Sequence, residues 1–200
     1  MITKKQYETM KEEFGNVSSW AVWSPQIDTP KSGVGDLSVF ERKDLLDILN
    51  PDYIFVGLNC SSTHVSKEGS PAVRIWGNFH STDNRRQHDY KLRYALQDTP
   101  YWGGYITDII KHHAEVDSSK VSRFLNSHPE VVSENIALFE REIEILGTNP
   151  VLVALGDKVN EILTTYVEKK YKIVKVKHYS FTIGKEDYRR EMLDALNESL

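Results

Sequence analysis

Residues 50–62, NPDYIFVGLNCSS, decide the fold of this 200-residue chain. An apolar run at residues 53–56 follows a proline and ends in a Gly-Leu-Asn triplet before a polar loop. This order is typical of a buried β-strand that delivers polar groups to a pocket. Ligands of open α/β sheets bind beyond the carboxyl ends of strands, and glycine lets a backbone come close to its neighbours. We therefore predict a first strand here, with Gly57 and Asn59 at the site that it feeds.

The composition limits the class of protein. The chain is 40% hydrophobic and 27% charged, which suits one domain over residues 1–200, with residues 1–50 packing on the core. Its net charge of -4 argues against a protein that coats nucleic acids generally. The single cysteine, Cys60, excludes an internal disulfide and fits a reducing compartment. No run approaches the ~18 apolar residues of a membrane span, so we expect no membrane partner and a cytoplasmic location.

Helical and strand patterns alternate along the chain, as in α/β proteins. The run VLVAL at residues 151–155 indicates a central parallel strand, because continuous Val and Leu suit a strand buried on both faces. We predict a three-layer α/β/α fold with a central, mostly parallel, four-stranded sheet. Strands are predicted at residues 53–56, 105–110, 151–155 and 172–177, with a candidate aromatic edge strand at 18–23. Helices are predicted at residues 4–14, 41–49, 85–97, 132–146, 158–167 and 186–196.

The long polar stretch at residues 61–84 exceeds ordinary connections, and such loops are commonly functional. Within it, Phe79 is placed to stack on a flat ring, and Asn78 or His80 could read the edge of that ring. The alternative for Phe79 is burial in the core, as is usual for a single phenylalanine in a loop.

Three short motifs then occur in order: GLNCSS after the first strand, NPVLVALG before a helix, and VKHYSF after the last strand. Together they resemble the uracil-DNA glycosylase superfamily, whose first motif is Gly-x-Asp/Asn-Pro and whose second is His-Pro-Ser. The stretch YITDIIKH is similar to the family strand that reads the uracil edge, with Asp108 in place of an asparagine. The chain departs from the family where Cys60 and Tyr179 replace the two motif prolines. The matching positions are Gly57, Asn59, Gly156, His178 and Ser180.

The resemblance implies hydrolysis of the N-glycosidic bond of a damaged or mismatched base in DNA, without a cofactor. Asn59 would orient the attacking water, and His178 would donate a hydrogen bond to the base carbonyl as negative charge develops there. Ser180 would bind a phosphate, and Gly57, Cys60, Asn78 and Phe79 would complete the pocket. Asp108 could accept from an exocyclic amine, which favours cytosine-like or adenine-like edges over uracil.

Other interpretations stay open. A family member could bind a free nucleotide, a nucleic acid or a protein partner without base excision, because function resides in the site rather than in the fold. Cys60 could act as a nucleophile beside His178. Neighbouring histidines such as His112 and His113 point to opposite faces of a strand, so we expect no metal. A rim of cations could bind phosphates, or could be a solvated face: Arg74, Arg85, Arg86, Arg93, Lys175 and Lys177.

Overall fold

The structure is a computed structural model that describes residues 1–59, 74–80, 88–111, 113, 115, 117–167 and 169–199. Several residues singled out in the sequence lie outside the described residues, and their predicted roles stay predictions. They are Cys60, Arg85, Arg86 and His112.

Five strands form one sheet in the described part of the chain. They are β1 (Ser18–Trp20), β2 (Asn50–Asn59), β3 (Gly104–Ile110), β4 (Val151–Leu155) and β5 (Ile173–Val176). The helices are α1 (Lys4–Phe14), α2 (Leu45–Ile48), α3 (Asp89–Leu96), α4 (Ser118–Ser127), α5 (Pro129–Leu146), α6 (Asp157–Tyr166) and α7 (Lys185–Glu198), with a 3-10 turn at Leu37–Glu41.

The strand order is β1-β3-β2-β4-β5. Strands β3, β2, β4 and β5 are parallel, and β1 pairs antiparallel with β3 through the partners Ser18 and Thr107. The predicted mostly parallel sheet is confirmed, but its predicted size of four strands is wrong. The fifth strand arises because the aromatic segment at residues 18–20 pairs along the free edge of β3.

The helices cover both faces of the sheet, consistent with a three-layer α/β/α arrangement. One apolar cluster joins one face of the sheet to α1, α4, α5 and α6, and a second joins the other face to α3 and α7. Strand β4 contributes Leu152 and Ala154 to the first cluster and Val153 and Leu155 to the second. It is therefore an interior strand buried on both faces, as predicted. In the part of the chain described, no helix has the length and apolar character needed to cross a membrane.

The structure also changes several helix boundaries. The predicted helix at residues 41–49 is a 3-10 turn followed by the short α2, because Arg42 adopts an extended backbone between them. Helix α4 was not predicted, and it begins at an Asp117 cap. Helix α5 begins at Pro129, where the missing N–H costs no helical hydrogen bond, and ends at Gly147 in the left-handed conformation (φ 67°).

Candidate functional site

The site begins where two neighbouring parallel strands end. Gly57 of β2 and Asp108 of β3 are paired in the sheet register, so their side-chain positions lie side by side. A Cβ atom at position 57 would overlap Asp108 Oδ1 and would come within 3.4 Å of the Phe79 ring. Glycine is therefore required here because the carboxyl group occupies the space beside the backbone.

Asp108 is a buried carboxyl group with one oxygen held and one left open. Asp108 is only 3% exposed, and its Oδ2 accepts a 3.0 Å hydrogen bond from the Asn78 amide. Among the described residues, none donates a hydrogen bond to Oδ1. Burial raises the pKa of Asp108 to about 7, because removal from water disfavours the charged form. The group can therefore exchange a proton near neutral pH.

The segment at residues 74–80 brings Asn78 and Phe79 to this carboxyl group. The Trp76 N–H donates to the Gly15 carbonyl at 2.6 Å, and the Ser19 hydroxyl donates to the Trp76 carbonyl at 2.9 Å. The Trp23 indole N–H donates to the Phe79 carbonyl at 3.1 Å. These bonds fasten the segment to the end of α1 and to the chain around β1.

Two aromatic residues of this segment adopt a backbone conformation that bulky residues avoid. Trp76 has φ 61° and Phe79 has φ 63°. Such residues carry strain of about 1–3 kcal/mol each, and they persist only where surrounding contacts determine them. The result at Phe79 is a buried ring against Gly57 and edge-on to Tyr179, with centroids 6.5 Å apart.

Two asparagine amides at the site are oriented by carbonyl and carboxyl acceptors. Asn78 Nδ2 donates to the Val17 carbonyl at 2.8 Å as well as to Asp108. Asn59 Nδ2 donates to the carbonyls of His113 and Glu115 at 3.0 and 2.8 Å. Both N–H groups of each amide are thus engaged, and the carbonyl oxygen is the side-chain atom that Asn78 has left to contact a ligand.

Asn59 lies on the same face of β2 as Gly57, since strand side chains alternate. The Asn59 amide donates hydrogen bonds to the backbone of the chain that follows β3. The family resemblance predicts a different role, in which Asn59 orients a water. The structural contribution of Asn59 is therefore the support of this loop, and its predicted catalytic role stays a prediction.

His178 follows β5 and lies beside the turn at Gly156, whose added Cβ would come within 3.8 Å of the His178 side chain. The Ser180 backbone N–H donates to His178 Nδ1 at 3.1 Å, and the Ser180 hydroxyl lies 2.8 Å from the same nitrogen. The surrounding protein removes much of the water from the His178 ring, which disfavours its charged form and lowers the pKa of His178 to about 4, although the residue is partly accessible. The ring is therefore neutral at pH 7, with its proton on Nε2.

The Ser180 hydroxyl faces the His178 ring, and its predicted contact with a phosphate stays a prediction. Tyr179, which stands where the family has a proline, stacks on His178 with ring centroids 4.2 Å apart. Burial raises the pKa of Tyr179 well above its ordinary value, and the negative charge of the buried Asp89 at the start of α3 adds to this rise. Asp89 carries no sequence signal that identifies it, since its interaction with Tyr179 joins distant parts of the chain.

The cations proposed as a phosphate rim have other partners. Arg93 is buried and donates to the carbonyls of Ser24, Pro30 and Ser32, so it holds the loop before α2. Lys175 pairs with Asp157 at 2.9 Å, and Lys177 pairs with Glu191 at 2.7 Å. These contacts are at the surface and contribute about 0–1 kcal/mol each. The described cations therefore do not form a continuous phosphate-binding face.

A cleft of about 690 Å³ lies apart from the strand ends, between the 29–36 loop and the start of the 74–80 segment. Of the residues that the sequence singled out, its described lining contains Arg74, a member of the predicted cation rim. Its lining consists of Thr29, Lys31, Ser32, Gly33, Gly35, Asp36 and Arg74.

The structure thus groups most of the predicted residues at the carboxyl ends of the parallel strands. Gly57 lies against Asp108 and Phe79, Asn78 is hydrogen-bonded to Asp108, and Tyr179 links Phe79 to His178. No group of three or more potential metal ligands occurs among the described residues. The chain matches no protein-family model, and no curated protein shows significant similarity to it.

Proposed function

We propose that the chain is a divergent uracil-DNA glycosylase-like protein that binds a nucleobase at the strand ends and hydrolyses its bond to the sugar. The target would be a damaged or mismatched base in DNA. The observation that carries this proposal is the buried Asp108 carboxyl group, with one oxygen open beside the Phe79 ring. A flat apolar wall next to a single buried polar atom suits a heteroaromatic ring whose edge must be read.

The proposed chemistry assigns each nearby group one task. Phe79 would contact the base, and Asp108 would read its edge. The Asn59 carbonyl oxygen would orient the water, but an amide is a weak base, so the chemical step is slow or the base is a good leaving group. The neutral His178 would donate from Nε2 to a base carbonyl, where negative charge accumulates as the bond breaks.

Base excision from defined oligonucleotides tests the proposal. Single- and double-stranded DNA would carry uracil, hypoxanthine, mismatched thymine, mismatched cytosine or mismatched adenine, and alkaline cleavage would reveal abasic sites. We expect an abasic product from at least one substrate under single-turnover conditions, and its loss in His178→Ala. Asp52→Asn, an exposed carboxyl group at the opposite end of β2, should retain the activity. Absence of an abasic product from every substrate would exclude base excision.

A second candidate is binding without excision, of a free nucleotide, a nucleic acid or a protein partner. It is favoured by the Asn59 amide, which supports a loop, and by the paired Lys175 and Lys177. Affinity for DNA at two salt concentrations separates a glycosylase from a protein that binds a free nucleotide or a protein partner. A glycosylase that contacts several phosphates loses affinity for DNA steeply between about 50 and 200 mM salt, whereas the other two do not. A protein that binds nucleic acid without excision is distinguished by the absence of an abasic product.

A further inference from the structure

We infer that the site selects a base whose edge carries an exocyclic amine, as in cytosine or adenine, over the corresponding oxo bases, uracil and hypoxanthine. This inference rests on the proposed binding of a nucleobase and names its chemical class. Asn78 and Asp108 make hydrogen bonds within the protein, and the inference rests on the donors and acceptors that these bonds leave available to a ligand.

The orientation of the Asn78 amide is determined by its two neighbours. The Val17 carbonyl and the Asp108 carboxyl group are both acceptors, so the nitrogen of Asn78 must face them. Both of its hydrogens are then used, and the remaining polar atom of Asn78 is a carbonyl oxygen. Asn78 therefore offers a ligand an acceptor and no donor.

The open Oδ1 of Asp108 adds an atom that suits an amine. When ionised, it accepts a hydrogen bond; when protonated, it can donate one to a neighbouring ring nitrogen. An amine beside an unprotonated ring nitrogen, the edge that cytosine and adenine share, matches both states. The pKa of Asp108, raised to about 7 by burial, makes both states accessible at neutral pH.

Uracil presents a different edge, with an N–H group between two carbonyl oxygens. When Asp108 is ionised, the N–H of uracil could donate to it, but a carbonyl oxygen of the base would then face the acceptors of Asp108 or Asn78. A protonated Asp108 could donate to that oxygen, so the selectivity belongs to the ionised form and is measured above pH 7. A buried acceptor without a donor costs about 1–3 kcal/mol, which corresponds to roughly tenfold or more in affinity. Hypoxanthine differs from adenine in the same way, because an oxo group and a ring N–H replace the amine and the ring acceptor.

Two matched pairs of free bases test the inference: cytosine against uracil, and adenine against hypoxanthine. Binding to the full chain would be followed by changes in its amide NMR spectrum on titration. We expect the amine-bearing member of at least one pair to bind tenfold or more tightly than its oxo partner. Asp108→Asn supplies an amide N–H in place of the carboxyl oxygen, so it should lower this ratio at least tenfold. Asp52→Asn should leave the ratio unchanged.

The outcomes are distinct. If none of the four bases binds, nucleobase binding fails, and the proposed function fails with it. If bases bind but each oxo base binds as tightly as its amine partner, the inference alone is overturned. The wild-type ratios decide this without any variant, so a poorly folded Asp108→Asn protein would not obscure the result. The titrations are then repeated with each base placed in a single-stranded oligonucleotide. Tighter binding of the oligonucleotide than of the free base indicates that the ligand is a base in DNA.

Discussion

Two buried carboxyl groups lie on opposite faces of β3 and differ in how their oxygens are satisfied. On the α5 face, Glu142 Oε1 accepts from the Tyr105 and Thr107 hydroxyls at 2.7 and 2.8 Å, and Oε2 lies 2.8 Å from Lys111 Nζ. On the other face, Asp108 is held through one oxygen by Asn78. The Glu142 carboxyl group is closed by protein partners, with Oε2 held by the charge of Lys111 rather than by a hydrogen bond, whereas Asp108 is open at one oxygen among the described residues.

Glu142 and Asp108 are buried for different reasons: the first stabilises the core, and the second is available to a ligand. A buried charge is tolerated when it is paired and hydrogen-bonded, and Glu142 meets that condition within the core. Asp108 lacks a donor to Oδ1 among the described residues, and its raised pKa reflects the cost of that burial. Lys111 connects the two groups, because its ammonium also donates to the Asp108 carbonyl at 2.8 Å. The closed network therefore supports the strand end that carries the open carboxyl group.

Breaking the closed network should have the largest effect. Lys111→Met removes the cation and leaves Glu142 charged and buried, so the free energy of unfolding should fall by about 3–5 kcal/mol. Urea denaturation followed by circular dichroism measures this change. Lys175→Met, which removes a surface partner of Asp157, should cost less than about 1 kcal/mol. Equal losses in the two variants would contradict the structural role assigned to Lys111.

Neutralising the open carboxyl group of Asp108 should raise the free energy of unfolding, whereas breaking the closed network should lower it. The folded-state pKa of Asp108, about 7, exceeds its ordinary value of 3.8, so the wild-type protein loses stability as pH rises between these values. Asp108→Asn should therefore gain relative stability over that range, by at most about 4 kcal/mol above pH 7. Asp108 is hydrogen-bonded to Asn78, and the titratable groups that interact with it electrostatically are Lys111, Glu142 across the sheet, Asp89 and Tyr179. Urea denaturation at pH 4, 6 and 8 tests this, and a pH-independent difference would disprove it.

The Trp23 indole should have a smaller, local effect. Trp23→Phe removes the hydrogen bond to the Phe79 carbonyl, so stability should fall by about 1–2 kcal/mol and base affinity severalfold. Trp102→Phe is the matched control, because Trp102 packs against Trp23 at 5.6 Å. Denaturation and base titration of both variants measure the difference. If Trp102→Phe weakens base binding as much as Trp23→Phe, the bond to Phe79 has no specific role.

The Ser180 hydroxyl should have the smallest effect. Ser180→Ala removes one contact to His178 Nδ1, but the backbone N–H of residue 180 still donates to that nitrogen. Any base excision should therefore fall less than about threefold, within the range of one weak hydrogen bond. A loss above tenfold would instead support the predicted phosphate contact of Ser180.

Local patterns predicted the elements on which the site is built. The spacing of apolar residues defined α1, and the continuous run at residues 151–155 defined β4, because each pattern depends on burial alone. Gly57 was predicted at the site because it stands near the end of a strand, and Asp108 because its stretch resembles the family strand that reads the uracil edge. The catalytic roles of Asn59 and His178 stay predictions.

Long-range contacts could not be predicted from these patterns. The hydrogen bond between Asn78 and Asp108 spans 30 residues, and that between Trp23 and Phe79 spans 56. Neither pair shares an element, so no periodicity relates its members. The same reason applies to Glu142, which appears in the sequence as one more charged residue of an amphipathic helix.

The central claim is that Asp108 is a buried carboxyl group open to a ligand. Its most direct test is the ¹³C NMR signal of the Asp108 carboxyl carbon, assigned by its absence in Asp108→Asn and followed with pH and added cytosine or adenine. We predict titration near pH 7 in the free protein and a change in the signal on saturation with at least one of the two bases. Titration near pH 4, or an Asp108 signal that stays unchanged while a base binds, would contradict the account.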